Sequence, residues 1–114
     1  MHELSLAQDI LALSETEALK HGARRITRVK LLLGEFAGVV RDALEFSFEV
    51  ARAGTLAASA ELEIEEVPLE TRCPRCGEAA RQAVNDFVML CTSCAAPLEI
   101  LSGRELQVEY IEIE

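Results

Sequence analysis

Four cysteines place the tightest constraint on what this chain can fold into. Cys73-Pro74-Arg75-Cys76 and Cys91-Thr92-Ser93-Cys94 form a C-x2-C-x14-C-x2-C pattern. Two residues between cysteines let a tight turn aim both sulfurs at one point. Two such turns supply the four thiolates that Zn²⁺ takes in a tetrahedral structural site. A site of that kind is closed, with no position left for water or substrate, so it predicts a structural role and not a catalytic one. Two disulfides, or a rubredoxin-like iron centre, would use the same residues. Disulfides need an oxidising compartment, and four Phe, one Tyr and no Trp lend iron little support. Gly77 follows the first pair, where a turn calls for a positive φ. Ala95 stands in the matching place after the second.

At 114 residues, 50% of them hydrophobic, the chain suits one small domain, or one domain with a metal-held insert. Many of the apolar residues are alanines, so a metal staple would add stability that a small core lacks. The formal charge is −9, from 11 basic and 20 acidic residues. That opposes a nucleic-acid partner, whose affinity rests on clustered Lys and Arg, and suits basic surfaces or cations. The opening Met1-His2-Glu3-Leu4 has neither the basic nor the apolar region of a signal peptide. No apolar run approaches the roughly 18 residues of a membrane span. The expected location is cytoplasmic, where cysteines stay reduced.

Taken in order, residues 4–20 read as an amphipathic helix. Leu6, Ile10 and Leu13 form one apolar line, and Ala7, Leu11 and Ala18 the next. Lys20 and His21 suit its C-terminal end and Gly22 its stop, so His21 reads as a helix-end residue and not a ligand. Residues 25–34 alternate as a strand, with Val29, Leu31 and Leu33 on one face and Arg28, Lys30 and Leu32 on the other. Gly34 and Gly38 bracket a turn. A helix over 41–52 follows, with Asp42 and Glu45 resembling a cap and Phe46 and Phe48 reading as core anchors. Residues 61–67 alternate again, Leu62 and Ile64 against Glu61, Glu63 and Glu65, until Pro68. Phe87-Val88-Met89-Leu90 reads as a strand into the second cysteine turn. In the last strand, 105–114, Leu106, Val108 and Tyr110 face one way and Ile111 and Ile113 the other, which calls for a bulge or burial on both faces. Like charges on two acidic strands would repel if directly opposite, so the 25–34 strand, with Arg28 and Lys30, is placed between them. The expected fold is α+β: two helices on a small three-stranded sheet, with an inserted zinc-binding lobe carrying the two C-x2-C turns. Residues 1–69 and 104–114 would form the main domain and 70–103 the lobe.

His2 is the second candidate for metal chemistry. An N-terminal amine, the amide between residues 1 and 2, and an imidazole can chelate one divalent cation, and near-planar nitrogen donors suit Ni(II) or Cu(II). The amine would belong to Met1, and Glu3 adds a carboxylate nearby. Without further information, a terminal His is most often a solvated residue.

The opening Met1-His2-Glu3-Leu4-Ser5-Leu6 resembles that of the hydrogenase nickel-incorporation (HypA/HybF) family. The resemblance continues through Leu33-Gly34-Glu35, Gly38-Val39, Ala43-Leu44-Glu45-Phe46-Ser47-Phe48-Glu49, Gly54-Thr55-Leu56, Ala60-Glu61-Leu62-Glu63-Ile64 and both cysteine pairs, essentially the whole chain. It implies a nickel metallochaperone that loads nickel-iron hydrogenase and, in some organisms, urease. It implies His2 as the nickel ligand, supported by the Met1 amine and Glu3, and Cys73, Cys76, Cys91 and Cys94 as the zinc ligands. It further implies a HypB-type GTPase and a hydrogenase large-subunit precursor as partners; an edge strand leaves a homodimer open. Two departures stand out. The family's second cysteine pair commonly has a Cys-Pro-x-Cys-Gly context, found here at the first, and its Glu-Pro-Glu before the second helix is Val40-Arg41-Asp42.

Two other classes of function compete. A zinc-ribbon nucleic-acid-binding or interaction module would want a basic lobe, whereas residues 70–103 set Glu70, Glu78, Asp86 and Glu99 against Arg72, Arg75 and Arg81. An enzyme would want an acid–base or nucleophile constellation. Two histidines and no phosphate loop, nucleophile elbow or H-E-x-x-H supply none, so no catalysis is expected.

Overall fold

The computed structural model describes residues 2–86 and 88–114. The elements run α1 (His2–Lys20), β1 (Ile26–Gly34), α2 (Arg41–Ala51), β2 (Glu61–Val67), β3 (Glu70–Arg72), β4 (Ala79–Arg81), a single 3₁₀ turn (Val84–Asp86), β5 (Glu99–Ser102) and β6 (Leu106–Ile113). Three strands form a sheet in the order β2-β1-β6, and three shorter ones a second sheet in the order β4-β3-β5. The chain divides into two compact units. One comprises Met1–Leu32, Val39–Glu65 and Gln107–Glu114, the other Leu33–Gly38 and Glu66–Leu106. The α+β class expected from the sequence is the class observed.

In the first unit α1 and α2 pack against each other. Helix α1 buries Ala7, Ile10, Leu11, Ser14 and Ala18, and Ser14 Oγ donates to the Ile10 carbonyl at 2.7 Å, so its burial leaves no polar group unpaired. It stops as its sequence dictates: Gly22 takes a left-handed φ of 68°, and His21 Nδ1 lies 3.0 Å from the Glu17 carbonyl. Leu13, assigned above to the buried line, is 53% exposed, because the buried positions advance toward Ser14 and Ala18. Helix α2 buries only Leu44, Ser47 and Phe48. Phe48 is 2% exposed and anchors the core, whereas Phe46 is 68% exposed and does not. At about 100° per residue, Phe46 sits roughly 200° around the helix from both Leu44 and Phe48, so the helix cannot bury all three. The expected Asp42–Glu45 cap is also absent. Val40 is the N-cap and no side chain caps it. Instead the Val40 N–H donates to the Glu3 carboxylate of α1 at 3.4 Å.

Strand β1 is central, as the charge pattern requires. Its apolar face, Val29 and Leu31, is fully buried. On the opposite face Arg28 bonds Glu61 and Glu63 of β2 at 3.0 and 2.6 Å and Glu112 of β6 at 2.8 Å. Lys30 Nζ lies 3.0 Å from Glu63, 3.1 Å from Glu65 and 3.8 Å from Glu109. Strand β6 has no fully buried residue within the first unit, so burial on both its faces does not account for its two apolar sets.

The second unit is built on strands of three or four residues, which leave no periodicity to read from the sequence. Here β3 pairs with β4 and β5, both antiparallel. Residues 88–90, expected as part of a strand, carry only an isolated bridge between Leu90 and Pro97, and Phe87 lies outside the described residues. Pro97 cannot donate to a ladder, which limits pairing there. Gly34 makes this packing possible: a Cβ on it would fall 2.1 Å from the Gly103 carbonyl oxygen. Gly103 has a φ of 113°, and a Cβ on it would fall 2.7 Å from Leu69 Cα. Glu35 accepts the Leu69 N–H at 2.9 Å and sits 3.5 Å from Arg81.

Two outcomes follow. Phe48→Ala should cost about 3–5 kcal/mol in denaturant unfolding, while Phe46→Ala should stay within about 0.5 kcal/mol. The hydrogen bond from Lys30 holds the Glu63 carboxyl below its usual value of 4.5, and the bonds from Glu63 and Glu65 hold the Lys30 ammonium above its usual 10.5. The depressed Glu63 contributes stability that is present above 4.5 and lost as pH falls through its folded value. The raised Lys30 contributes below 10.5 and loses its contribution as pH climbs through its folded value. Thermal melts from pH 3 to 11 should therefore show, for Lys30→Met relative to the parent, a deficit that is flat between about pH 5 and 10 and shrinks outside that window.

Candidate metal centres

The four cysteines converge. Their sulfurs all lie within 4.8 Å of one another, with Cys73 Sγ 3.5 Å from Cys94 Sγ and Cys76 Sγ 4.0 Å from Cys91 Sγ. Each short separation joins one turn to the other, so the site exists only when both turns face each other. Zn–S bonds of about 2.3 Å imply tetrahedral S···S edges near 3.8 Å, and the two shortest separations bracket that value. All four cysteines are free. The group is a metal-binding site whose dimensions fit zinc.

The backbone builds the two halves alike. The Gly77 N–H donates to the Cys73 carbonyl at 2.7 Å, and the Ala95 N–H to the Cys91 carbonyl at 2.8 Å. The Cys76 N–H points at Cys73 Sγ (3.3 Å) and the Ser93 N–H at Cys91 Sγ (3.4 Å), which favours thiolates there. Both turns are pinned at their bases, Cys73 N–H to the Glu78 carbonyl and Cys91 N–H to the Ala96 carbonyl. Gly77 has a φ of 76°, as its place predicted. Ala95 has a φ of 59° and is the one described non-glycine residue in that region. An L-residue with a Cβ pays for this conformation and glycine does not.

The electrostatics of the cluster favour a cation among the sulfurs. The N–H groups of Ser93 and Cys94 draw the Cys91 thiol down to about 7. Hydrogen bonds with the Cys94, Cys73 and Cys91 sulfurs push the Cys76 thiol up to about 12. Negative charge thus gathers on one sulfur while its neighbour keeps its proton, since four thiolates this close repel one another. A divalent ion removes that conflict by displacing the protons. Around the cluster, Arg72 pairs with Glu99 at 3.0 Å and Arg81 with Glu35, so these arginines do not form an open row of cations for phosphates.

The N-terminal candidate lies in the other unit. His2 opens α1 with its side chain 65% exposed, and its Nε2 is 3.6 Å from Glu3 Oε2. Glu3 itself is nearly buried, because its carboxylate also receives the Val40 N–H. Met1 lies outside the described residues. The Glu3–Val40 link was not legible in the sequence, for nothing in residues 1–6 signals a partner 37 positions away.

The comparisons with known proteins agree over the full length. A family model described as "Hydrogenase/urease nickel incorporation, metallochaperone, hypA" matches residues 1–113. The hydrogenase maturation factor HypA of Moorella thermoacetica is 41% identical over 115 positions, covering all of both chains. That of Roseiflexus sp. is 45% identical over 116 positions, covering all of this chain and 93% of the relative. Among solved structures, the solution structure of the Ni metallochaperone HypA from Helicobacter pylori is 28% identical, with a TM-score of 0.71 over 99% of this chain and 97% of that one.

Replacing Ala95 with Gly should stabilise the metal-loaded protein by about 0.5–1 kcal/mol, since glycine adopts the required φ without strain. Chemical denaturation of parent and variant with metal bound would measure it. Gly77→Ala should move stability by a similar amount in the opposite direction.

Proposed function

This chain belongs to the HypA family of hydrogenase and urease nickel-incorporation metallochaperones, and from that premise we propose that it binds Ni(II) at its N-terminus and delivers it during maturation of nickel-iron hydrogenase. The observation that carries this reading is the exposed His2 imidazole at the first position of a helix whose other face is firmly packed. The first four N–H groups of a helix have no intrahelical acceptor. The His2 amide is among them, so it can give up its proton to a metal without breaking a helix bond. With the Met1 amine and the imidazole it makes up a nitrogen set suited to Ni(II). Glu3 supports the site: its carboxylate ties the start of α1 to Val40 and stands beside the His2 ring.

Cys73, Cys76, Cys91 and Cys94 would hold a structural Zn(II), which on binding neutralises the thiolates and locks the two turns together. The division of labour follows the two donor sets. The nickel-binding domain, 1–69 and 104–114, keeps its cargo at a solvent-facing end, whereas the 70–103 lobe keeps its ion enclosed by four sulfurs. A HypB-type GTPase and the hydrogenase large-subunit precursor are the partners this role requires, in the cytoplasm, with urease as a second client and a homodimer as one form of assembly. No described helix is long and apolar enough to cross a membrane.

Nickel titration of zinc-loaded protein with its native N-terminus tests the reading. The native form should take up about one equivalent. His2→Ala and a form extended by one residue before Met1 should lose that binding while keeping their zinc. Equal binding by all three would move the nickel site elsewhere, and binding by none would leave a zinc-stapled interaction module.

A further inference from the structure

Beside β6 lies a groove of about 430 Å³ that neither metal centre uses. Leu13, Ser14 and His21 line one side, and Val108, Tyr110 and Ile111 of β6 the other. Leu13, Tyr110 and Ile113 are exposed there, 53%, 43% and 38%, and stand together along one groove. The sheet order makes β6 an edge strand. Among the described residues its outer N–H and C=O groups therefore have no strand partner, which is the condition for addition of another strand. The opposite edge differs. The hollow next to β2 is lined by Glu45, Glu49, Arg52 and Glu61 as well as Phe48, which makes it ionic.

Charge selects the occupant. Strand β6 and its end carry Glu109, Glu112 and Glu114, and Glu17 also lines the groove. Glu112 is held by Arg28 at 2.8 Å and Glu114 by Arg25. Glu109 is the least satisfied, because the single Lys30 ammonium lies nearer to Glu63 and Glu65 and reaches Glu109 only at 3.8 Å. A second copy pairing along β6 would set acidic rows against each other, and like charges directly opposite are destabilising. A basic strand would not meet that penalty. We propose that the α1–β6 groove docks an extended segment of a partner protein, which adds to β6 as a strand, places an apolar side chain in the groove and sets a Lys or Arg against Glu109. Nickel binding plays no part in this docking.

The test uses the full-length, zinc-loaded chain and three capped peptides of about eight residues, the length of β6. One alternates Val and Lys, one is the same with its central Val replaced by Pro, and one alternates Val and Glu. Amide exchange and ¹⁵N-detected shifts follow binding at physiological salt. The Val/Lys peptide should slow exchange at the outward amides of β6 and shift Leu13, Val108 and Ile111. Its affinity should fall about tenfold in Leu13→Ser and about threefold in Glu109→Gln. Both side chains are exposed, so an unchanged melting temperature shows that loss of binding is not loss of fold. Equal binding of the Pro peptide would mean charge attraction without strand addition and overturns the proposal, as would equal binding of the Val/Glu peptide. Concentration-dependent self-association that protects the same amides and excludes the peptide would make a second copy the occupant and overturns it as well.

Discussion

Four sulfurs within 4.8 Å cannot all carry charge unless a cation lies among them, and the second unit is organised around that restriction. Its strands are three or four residues long, well short of what gives a sheet independent stability. The isolated bridge between Leu90 and Pro97 brackets the second cysteine turn. With so little apolar burial, the linkage of two turns by one ion is the largest single term available to hold the unit in one arrangement. The backbone N–H groups aimed at Cys73 and Cys91 prepare the site for thiolates before any ion arrives. A small lobe of this kind trades a hydrophobic core for a coordination shell.

The first unit meets a comparable charge problem without a metal. Two cations on β1, Arg28 and Lys30, serve five carboxylates on the flanking strands. Exposed ion pairs contribute little singly, but a network around a nearly buried Lys30 is a different case. Either acidic strand placed beside the other would repel; each placed beside β1 is attracted. The pairing order is therefore encoded by charge on one face of the sheet, while Val29 and Leu31 encode burial on the other.

This explains what could be read from the sequence. Long elements with alternating or helical periodicity, α1, β1, α2, β2 and β6, were legible to within a few residues, and the order β2-β1-β6 followed from Arg28 and Lys30. The cysteine spacing announced the metal-binding cluster, and Gly77 its turn. Illegible were the features that depend on contacts distant in sequence. Phe46 and Phe48 are equally apolar, and only the packing partner of α2 decides which is buried. Glu35 looks like any loop carboxylate until the Leu69 N–H is found against it. Gly34 reads as a turn residue, yet the Gly103 carbonyl is what forbids a side chain there. The Asp42 cap failed for a related reason: Glu3, far back in the chain, already holds the Val40 N–H.

Glu3 also bears on how an exchangeable site can sit on a folded scaffold. A terminal chelate gains from mobility, because few ligands on a loose end release an ion readily, but it must also be presented in a constant place. Here the helix is fixed at its second residue onward by burial of Glu3 and Ala7, while His2 remains exposed. Immobilising the Glu3 carboxylate at the N-cap of α2 places negative charge near the N-termini of both helices, where the backbone dipoles favour it. The same carboxylate lies beside the imidazole. Burial of Glu3 therefore fixes the start of α1 through contacts that do not involve the exposed His2 imidazole, which leaves that ring open to solvent on a packed helix.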